Sequence, residues 1–290
     1  MSACAPGRDW QIPGMFSPPT PRACVAHWLA LLLSGMLAGG TAWAVDGATL
    51  EELLRRADAL DSGRDVSAAL RLLETAEARF PDHTELLIRL AKQQSNLIFT
   101  APTETEKKRL AALCLTTAER AVAADKANAR ARLAVGICLA KNFPHVDNRT
   151  KVNYSRRLKE ESERAIELDP KLDLAYHMLA RWHFEVAEMN SVLRAIAKLV
   201  YGGIPKGTLA EARKNFERAV ALAPGRIIHR HQLAQALLAA GQKSGAIEQL
   251  QRCLKLDPMD VDDAEAKVAA ARQLKGFGAA AIEPAASSSR

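Results

Sequence analysis

Residues 212–224, which read ARKNFERAVALAP, decide the fold. Ala212, Phe216 and Ala219 follow one another at spacings of four and three, so they share one face of a helix, which the following proline ends. The same order of small, apolar and small residues before a proline returns at Ala246, Leu250, Cys253 and Pro258. The two prolines are 34 residues apart, so the chain contains an internal repeat.

Three segments upstream carry related endings, one close to the pattern, one looser, and one with Lys126 where proline is expected. Their patterned residues are Ala69, Leu73, Ala76 and Pro81, then Leu158, Ser162, Ala165 and Pro170, and then Cys114, Ala118 and Ala121. The endings at positions 81, 126, 170, 224 and 258 are 45, 44, 54 and 34 residues apart. The middle repeats therefore contain additional residues.

A period of 34 residues with this ending is similar to the tetratricopeptide repeat, in which small residues of the second helix let neighbouring helices approach closely. Apolar residues at helical spacing predict first helices over residues 84–96, 129–141, 173–184 and 227–240. We therefore expect an all-α fold, a right-handed α-solenoid of five tetratricopeptide-like helix pairs within residues 45–275, capped by a helix over residues 261–275. Residues 276–290, rich in Ala, Gly and Ser, predict a disordered tail.

The composition agrees with a helical, folded chain. The 290 residues are 48% hydrophobic, 25% charged and only 5% aromatic, and stretches rich in Ala, Leu, Arg and Glu favour helices over strands. The formal net charge of +7 is distributed along the chain. A distributed excess of this kind does not predict a nucleic-acid partner.

The N-terminal segment has the layout of a secretory signal peptide. Residues 25–38, VAHWLALLLSGMLA, are apolar, Arg22 precedes them, and Ala42-Trp43-Ala44 follows as a small-x-small cleavage site. This stretch is shorter than the roughly 20 residues that cross a bilayer. We therefore expect residues 1–44 to be a signal peptide, or 15–44 if translation starts at Met15, and the protein to be exported to the periplasm. The alternative is an uncleaved membrane anchor at residues 25–38.

Three cysteines, Cys114, Cys138 and Cys253, lie in the repeat region. No C-x-x-C pair is present, so the sequence offers neither a zinc ribbon nor a dithiol redox motif. Each of the three lies in an apolar helical stretch, which predicts a small, buried core residue. An odd number also leaves at least one thiol free.

Residues 175–187 (AYHMLARWHFEVA) and 204–212 (IPKGTLAEA) resemble the regulator of microtubule dynamics family. The resemblance implies helical repeats, with an enlarged repeat before a P-x-G-T-like connection to the next helix. It also implies an association with microtubules, mitochondria or the endoplasmic reticulum, as in animal members. A membrane-anchored cytoskeletal regulator is therefore the alternative to an exported scaffold.

The tetratricopeptide resemblance implies where a partner binds. In that family the second, fifth, ninth, twelfth and thirteenth residues of each repeat line a concave groove. Counting from residues 50, 84, 129, 173 and 227 predicts groove residues that include Lys92, Asn96, Lys141, His177, Arg181, Glu185, His231 and Gln235. These side chains predict a polar groove with a small excess of basic residues. Such a groove suits an extended protein or peptide segment that carries a carboxylate.

The sequence lacks the motifs of common catalytic sites, namely H-E-x-x-H, G-x-S-x-G and G-x4-G-K-[ST]. We therefore expect a non-enzymatic scaffold with no cofactor and no bound metal. A metal site shared among His177, His183, His229 and His231 is the alternative, but single histidines more often pack or form hydrogen bonds.

A further apolar segment covers residues 186–201. Met189, Val192, Leu193, Ile196, Leu199 and Val200 fall on one helical face, and Gly202-Gly203 ends the pattern. Such a helix could contact a membrane or a partner helix. The alternative is that it continues the preceding helix and packs against an adjacent repeat, as amphipathic helices commonly do.

Overall fold

The computed structural model describes residues 47–259 and 262–278. The chain divides into two units, and the second begins at Thr49. The predicted signal peptide, including the apolar stretch 25–38, lies outside the described residues, as does most of the predicted tail. Gly276, where that tail was predicted to begin, is the last residue of the final helix.

The described part of the second unit is all-α, with twelve α-helices, one 3-10 helix at Phe143–His145 and no strand. The α-helices are α1 (Leu50–Ser62), α2 (Val66–Arg79), α3 (Thr84–Leu97), α4 (Glu104–Ala124), α5 (Ala129–Asn142), α6 (Asn148–Leu168), α7 (Asp173–Glu188), α8 (Ser191–Tyr201), α9 (Leu209–Leu222), α10 (Ile227–Ala239), α11 (Lys243–Lys255) and α12 (Asp263–Gly276).

Successive helices form tetratricopeptide-like pairs, which confirms the predicted solenoid. α1 packs with α2, α3 with α4, α5 with α6, α7 with α9, and α10 with α11, while α12 packs against both helices of the last pair. From α3 onwards, the first helices of consecutive pairs also contact each other. These first helices therefore line one side of the solenoid, which we call the inner surface.

Local sequence signals set the helix ends. Seven helices have a side-chain cap that accepts a backbone N–H of the first turn, and the capping residues are Thr49, Asp65, Thr103, Asn128, Asp147, Asn190 and Thr208. A proline stands two or three residues beyond the ends of α2, α6, α9 and α11, as the repeat pattern predicted.

The core is built from the residues that define the repeat. Ala212, Phe216 and Ala219 are fully buried, and burial of a phenylalanine side chain contributes about 1.5–3 kcal/mol. Trp182 is also buried, and its indole N–H donates to Ser155 Oγ at 3.0 Å. The small residues allow the close helix approach that lets these larger side chains fill the space between pairs.

The additional length of the middle repeats lies in three helices. α4 and α6 have 21 residues each, and α8 is inserted between the two helices of the fourth pair. The backbone is extended at Met189, Asn190 caps a new helix, and Gly202 ends it with a φ of +76° in the left-handed region. Residues 186–201 are therefore not one helix, and the expectation that this segment continues the preceding helix was wrong.

The connection from α8 to α9, which contains Pro205-Lys206-Gly207-Thr208, passes close to α7. A Cβ atom on Gly207 would lie 2.7 Å from Val186 Cβ and 2.8 Å from the carbonyl oxygen of His183. Thr208 then caps α9 by accepting the Glu211 N–H. The P-x-G-T-like connection therefore combines a close backbone approach that needs glycine with a helix cap.

The two ends of the repeat array meet. The Arg64 guanidinium, in the turn between α1 and α2, donates to the Pro258 carbonyl at 3.2 Å across 194 residues of sequence. The turn between α1 and α2 therefore contacts the segment that follows α11.

A disulfide links the second and third pairs. Cys114 on α4 is bonded to Cys138 on α5, with Cα atoms 5.6 Å apart, whereas Cys253 is a free thiol. All three side chains are buried, as predicted. Burial raises the pKa of Cys253 to about 12, so little reactive thiolate forms at neutral pH.

Candidate functional site

Lys92 and Asn96 lie one turn apart on α3 and present different chemistry to the inner surface. Lys92 Nζ lies 2.6 Å from Asp61 Oδ2, so its charge is paired with the end of α1. The Asn96 Nδ2 atom is buried, and no hydrogen-bond acceptor lies within reach of it in the described part of the chain. A buried donor without an acceptor costs about 1–3 kcal/mol, so Asn96 is the group here with unused bonding capacity.

Lys141, at the end of α5, contacts an aromatic ring. Its Nζ atom lies 3.6 Å from the centre of the Phe99 ring, in the geometry of a cation–π contact. Burial lowers the pKa of Lys141 to about 8, and the Asp262 carboxylate partly opposes this shift. The residue therefore loses its charge just above physiological pH. Phe99 lies just beyond α3, and no sequence motif marked it.

Arg181 and Glu185 form an ion pair one turn apart on α7, with 3.0 Å between Nη2 and Oε1. Both side chains are nearly buried. Burial raises the pKa of Glu185 to about 7, because desolvation outweighs the stabilising charge of Arg181, and it lowers the pKa of Arg181. The pair is partly neutralised by its own burial.

His231 and Gln235 lie on α10 beside the cap helix. The side-chain amides of Gln235 and Gln273 exchange two hydrogen bonds of 2.9 Å, which join α10 to α12. Burial, with a smaller effect from the Arg181 charge, lowers the pKa of His231 to about 4. The His231 ring is therefore neutral at physiological pH and can donate or accept one hydrogen bond.

His177 lies in the interior of the solenoid and not on its inner surface. Its ring meets the ring of Phe216 edge to face, at 5.5 Å between centres. Its Nδ1 atom is 2.9 Å from Nδ1 of His229, and His229 Nε2 is 2.7 Å from Asp173 Oδ2. Burial holds the pKa of His177 well below its usual range, so the ring is neutral. His177 therefore joins α7 to α10.

The inner surface as a whole is polar but largely paired within the protein. Two of its three predicted cations, Lys92 and Arg181, are bonded to the carboxylates of Asp61 and Glu185. The excess positive charge expected from the sequence is therefore reduced by these carboxylates, and the surface offers hydrogen-bonding groups more than net charge.

The histidines weighed as a shared metal site do not converge. His177 and His229 are joined directly by a hydrogen bond, while His231 lies beside Gln235 and His183 stacks edge-on against Trp182. In residues 47–259 and 262–278, no cluster of three His, Cys, Asp or Glu side chains is arranged to hold a metal ion.

α8 presents an apolar face to solvent. Val192, Ile196, Leu199 and Val200 are exposed, and Ala197 is the buried residue of this helix. The expectation that this face packs against an adjacent repeat was wrong. None of the helices in the described ranges has the length and apolar character needed to cross a membrane.

The profile of the family described as "Regulator of microtubule dynamics protein 1-3" matches residues 53–278. Regulator of microtubule dynamics protein 3 of Xenopus laevis is 31% identical over 175 residues, which are 60% of this chain and 38% of that protein. Regulator of microtubule dynamics protein 1 of Bos taurus is 31% identical over 176 residues, or 60% of this chain and 55% of that protein. The chain therefore spans about half the length of these relatives, or less.

Among solved structures, a thermophilic TPR protein of Thermus thermophilus superposes with a TM-score of 0.56 and 19% identity, covering 76% of this chain and 97% of that one. At this level of identity the similarity confirms the fold alone.

The predicted periplasmic location is corrected by these relatives. They are animal proteins named for microtubule dynamics, and animal cells have no periplasm. A positive flank, an apolar stretch and small residues are a compositional pattern, so they were not sufficient evidence for export.

Proposed function

The chain belongs to the regulator of microtubule dynamics family, and from this premise we propose that it is a non-enzymatic helical-repeat scaffold that binds a protein or peptide segment on its inner surface. Tetratricopeptide-like helix pairs create an extended concave surface of the kind that solenoid proteins use for recognition. The ionisable groups Lys92 and Arg181 are bonded to carboxylates and not to a nucleophile, which favours binding over catalysis.

The observation that carries this proposal is the buried Asn96 amide. Its Nδ2 donor lacks an acceptor. Because the Asn96 side chain as a whole is half-buried, a change of rotamer would bring this donor to an incoming main-chain carbonyl. Lys92, one turn before Asn96, is already paired with Asp61, and Lys141 contacts Phe99, three residues after Asn96. Charge therefore contributes less here than the hydrogen bond. Recognition would then rest on a hydrogen bond to the peptide backbone, supported by one or two charges, as in other extended-peptide sites.

The test uses a phage-displayed library of random peptides selected against the full chain. Selected peptides are then synthesised, and their dissociation constants are measured by fluorescence anisotropy for the wild type and for Asn96→Ala. Loss of one hydrogen bond, worth about 0.5–1.5 kcal/mol, should weaken binding roughly 2- to 12-fold. Alanine favours the helix and removes an unsatisfied donor, so the melting temperature should not fall.

The matched control is Asn148→Ala, an exposed asparagine on α6. Its dissociation constants should equal those of the wild type. Equal binding by the Asn96→Ala variant would place the peptide elsewhere, and failure to select any peptide would contradict a peptide-binding inner surface.

A second candidate function is regulation of microtubule dynamics, which the names of the relatives favour. Cosedimentation with taxol-stabilised microtubules, together with the turbidity of polymerising tubulin, tests it. Saturable cosedimentation and a changed polymerisation rate would support this function. The chain remaining in the supernatant with unchanged tubulin turbidity would contradict it.

A further inference from the structure

The most unusual surface of the described chain is the outward face of α8. At 100° per residue, Leu199, Val192, Ile196 and Val200 fall within an arc of about 100° on this helix. Their exposed fractions are 88%, 62%, 47% and 52%, respectively. Large apolar side chains clustered in this way are uncommon on a soluble surface unless something covers them.

α8 is held in place although its face is uncovered. The Arg194 guanidinium donates to the carbonyl oxygens of Val186, Ala187 and Met189 at 2.7, 3.3 and 3.2 Å, which joins the start of α8 to the end of α7. At the other end, Arg156 Nη2 donates to the Tyr201 carbonyl at 2.6 Å. The body of the protein therefore presents the apolar arc outward in a fixed orientation.

The charges of α8 and of the connection that follows it have one sign. Residues 189–210 contain Arg194, Lys198 and Lys206 and no Asp or Glu. At the same 100° per residue, Arg194, Lys198 and Tyr201 lie about 100–120° from the nearest residue of the apolar arc, on the other side of the helix. Lys198 is exposed there, and the Arg149 guanidinium lies 5.8 Å from the centre of the Tyr201 ring. An apolar arc on one side of a helix, with basic and no acidic side chains on the other side, is the pattern of a helix that lies in the interface of an anionic membrane.

We propose that α8 docks the protein on an anionic lipid surface, with its apolar arc at the boundary between headgroups and acyl chains. Eleven residues make a helix of about 16 Å, which lies in the plane of the interface and does not cross the bilayer. Lys198 and Lys206 then lie in the field of the anionic surface, and each cation near such a surface contributes about 1 kcal/mol. This docking is independent of peptide binding on the inner surface.

A second copy of the chain is the other candidate occupant. It would cover the apolar arc, but it would leave the basic side chains on the other side of α8 without a partner. An anionic bilayer complements both features of the surface at once, since it accepts the apolar arc and attracts the cations.

The test is hydrogen exchange of the full chain followed by mass spectrometry, read in peptides that cover residues 189–201. The chain is incubated alone, with phosphatidylcholine vesicles, and with vesicles that contain phosphatidylcholine and phosphatidylserine. The apolar stretch 25–38 could bring the chain to vesicles by itself, so protection within residues 189–201 is the readout and total binding is not. We expect these peptides to become protected with the anionic vesicles alone, and 0.5 M NaCl should weaken the protection.

Two variants sharpen the result. Leu199→Glu changes the most exposed apolar residue of α8 and should abolish the protection without changing the circular dichroism spectrum. Val268→Glu is the matched control, because Val268 is 59% exposed on α12, away from α8, and it should retain the protection. Absence of protection with anionic vesicles, equal protection with neutral vesicles, or protection that rises with protein concentration in the absence of lipid would each overturn the proposal.

Discussion

Substitution of Gly207 by alanine tests the close passage of the α8–α9 connection over α7. The added Cβ would lie 2.7 Å from Val186 Cβ, 2.8 Å from the His183 carbonyl oxygen and 2.9 Å from Val186 Cγ1. Carbon atoms prefer separations of about 3.5–4.0 Å. The neighbours cannot easily move, because one is a helix carbonyl and the other is a β-branched side chain with a restricted rotamer.

The expected magnitude follows from two opposing effects. Overpacking of this kind costs about 1–3 kcal/mol, whereas replacing glycine by alanine stabilises by about 0.4–1 kcal/mol through the unfolded state. The net destabilisation should be about 1–2 kcal/mol. For a domain of this size, each kcal/mol shifts the melting temperature by about 2–4 °C, so the fall should be about 2–8 °C.

Circular dichroism melts of the wild type and the variant provide the measurement. Gly276→Ala is the matched control, because a Cβ there would meet no atom within 4 Å, and its melting temperature should stay the same or rise slightly. A Gly207→Ala protein that melts at or above the wild-type temperature would refute the reasoning and would mean that the connection does not approach α7 so closely.

Three further perturbations test the described structure. Burial lowers the pKa of His231 to about 4, so the contribution of the neutral ring to the stability of the fold is complete above about pH 6.5. Up to about 3 kcal/mol of the free energy of unfolding is lost as the pH falls towards 4. His231→Gln should flatten that part of the curve of melting temperature against pH, and an unchanged curve would contradict this prediction. The double variant Cys114→Ser, Cys138→Ser removes a disulfide between residues 24 positions apart, so urea unfolding should show that the free energy of unfolding falls by about 3 kcal/mol. The control is the reduced wild type. Equal stability of the oxidised and reduced wild type would be evidence against the disulfide. Ala219→Arg forces a charge into a fully buried helix contact and should abolish cooperative melting. The control Ala112→Arg, at an exposed position of α4, should change the free energy of unfolding by less than about 0.5 kcal/mol. Similar melts for both variants would mean that the repeat register is wrong.

The local pattern of the chain was sufficient to predict where its first helices begin, but not the break between α7 and α8. The first helices begin at the predicted residues 84, 129, 173 and 227, because apolar periodicity, capping residues and prolines act within a few residues of each other. The burial of the three cysteines followed from the same periodicity. The predicted location did not hold, because an apolar N-terminal stretch is a compositional pattern that unrelated segments share.

The tertiary structure alone decided which side chains meet and which faces remain open. His177 contacts His229 across 52 residues, Gln235 contacts Gln273 across 38, and Arg64 contacts Pro258 across 194. Such contacts depend on how each helix pair rotates relative to the next, and small rotations accumulate along a solenoid without leaving a local trace in the sequence. For the same reason, the sequence by itself determined that α8 is amphipathic, but only the packing of α7 and α6 around it decided that its apolar face points to solvent.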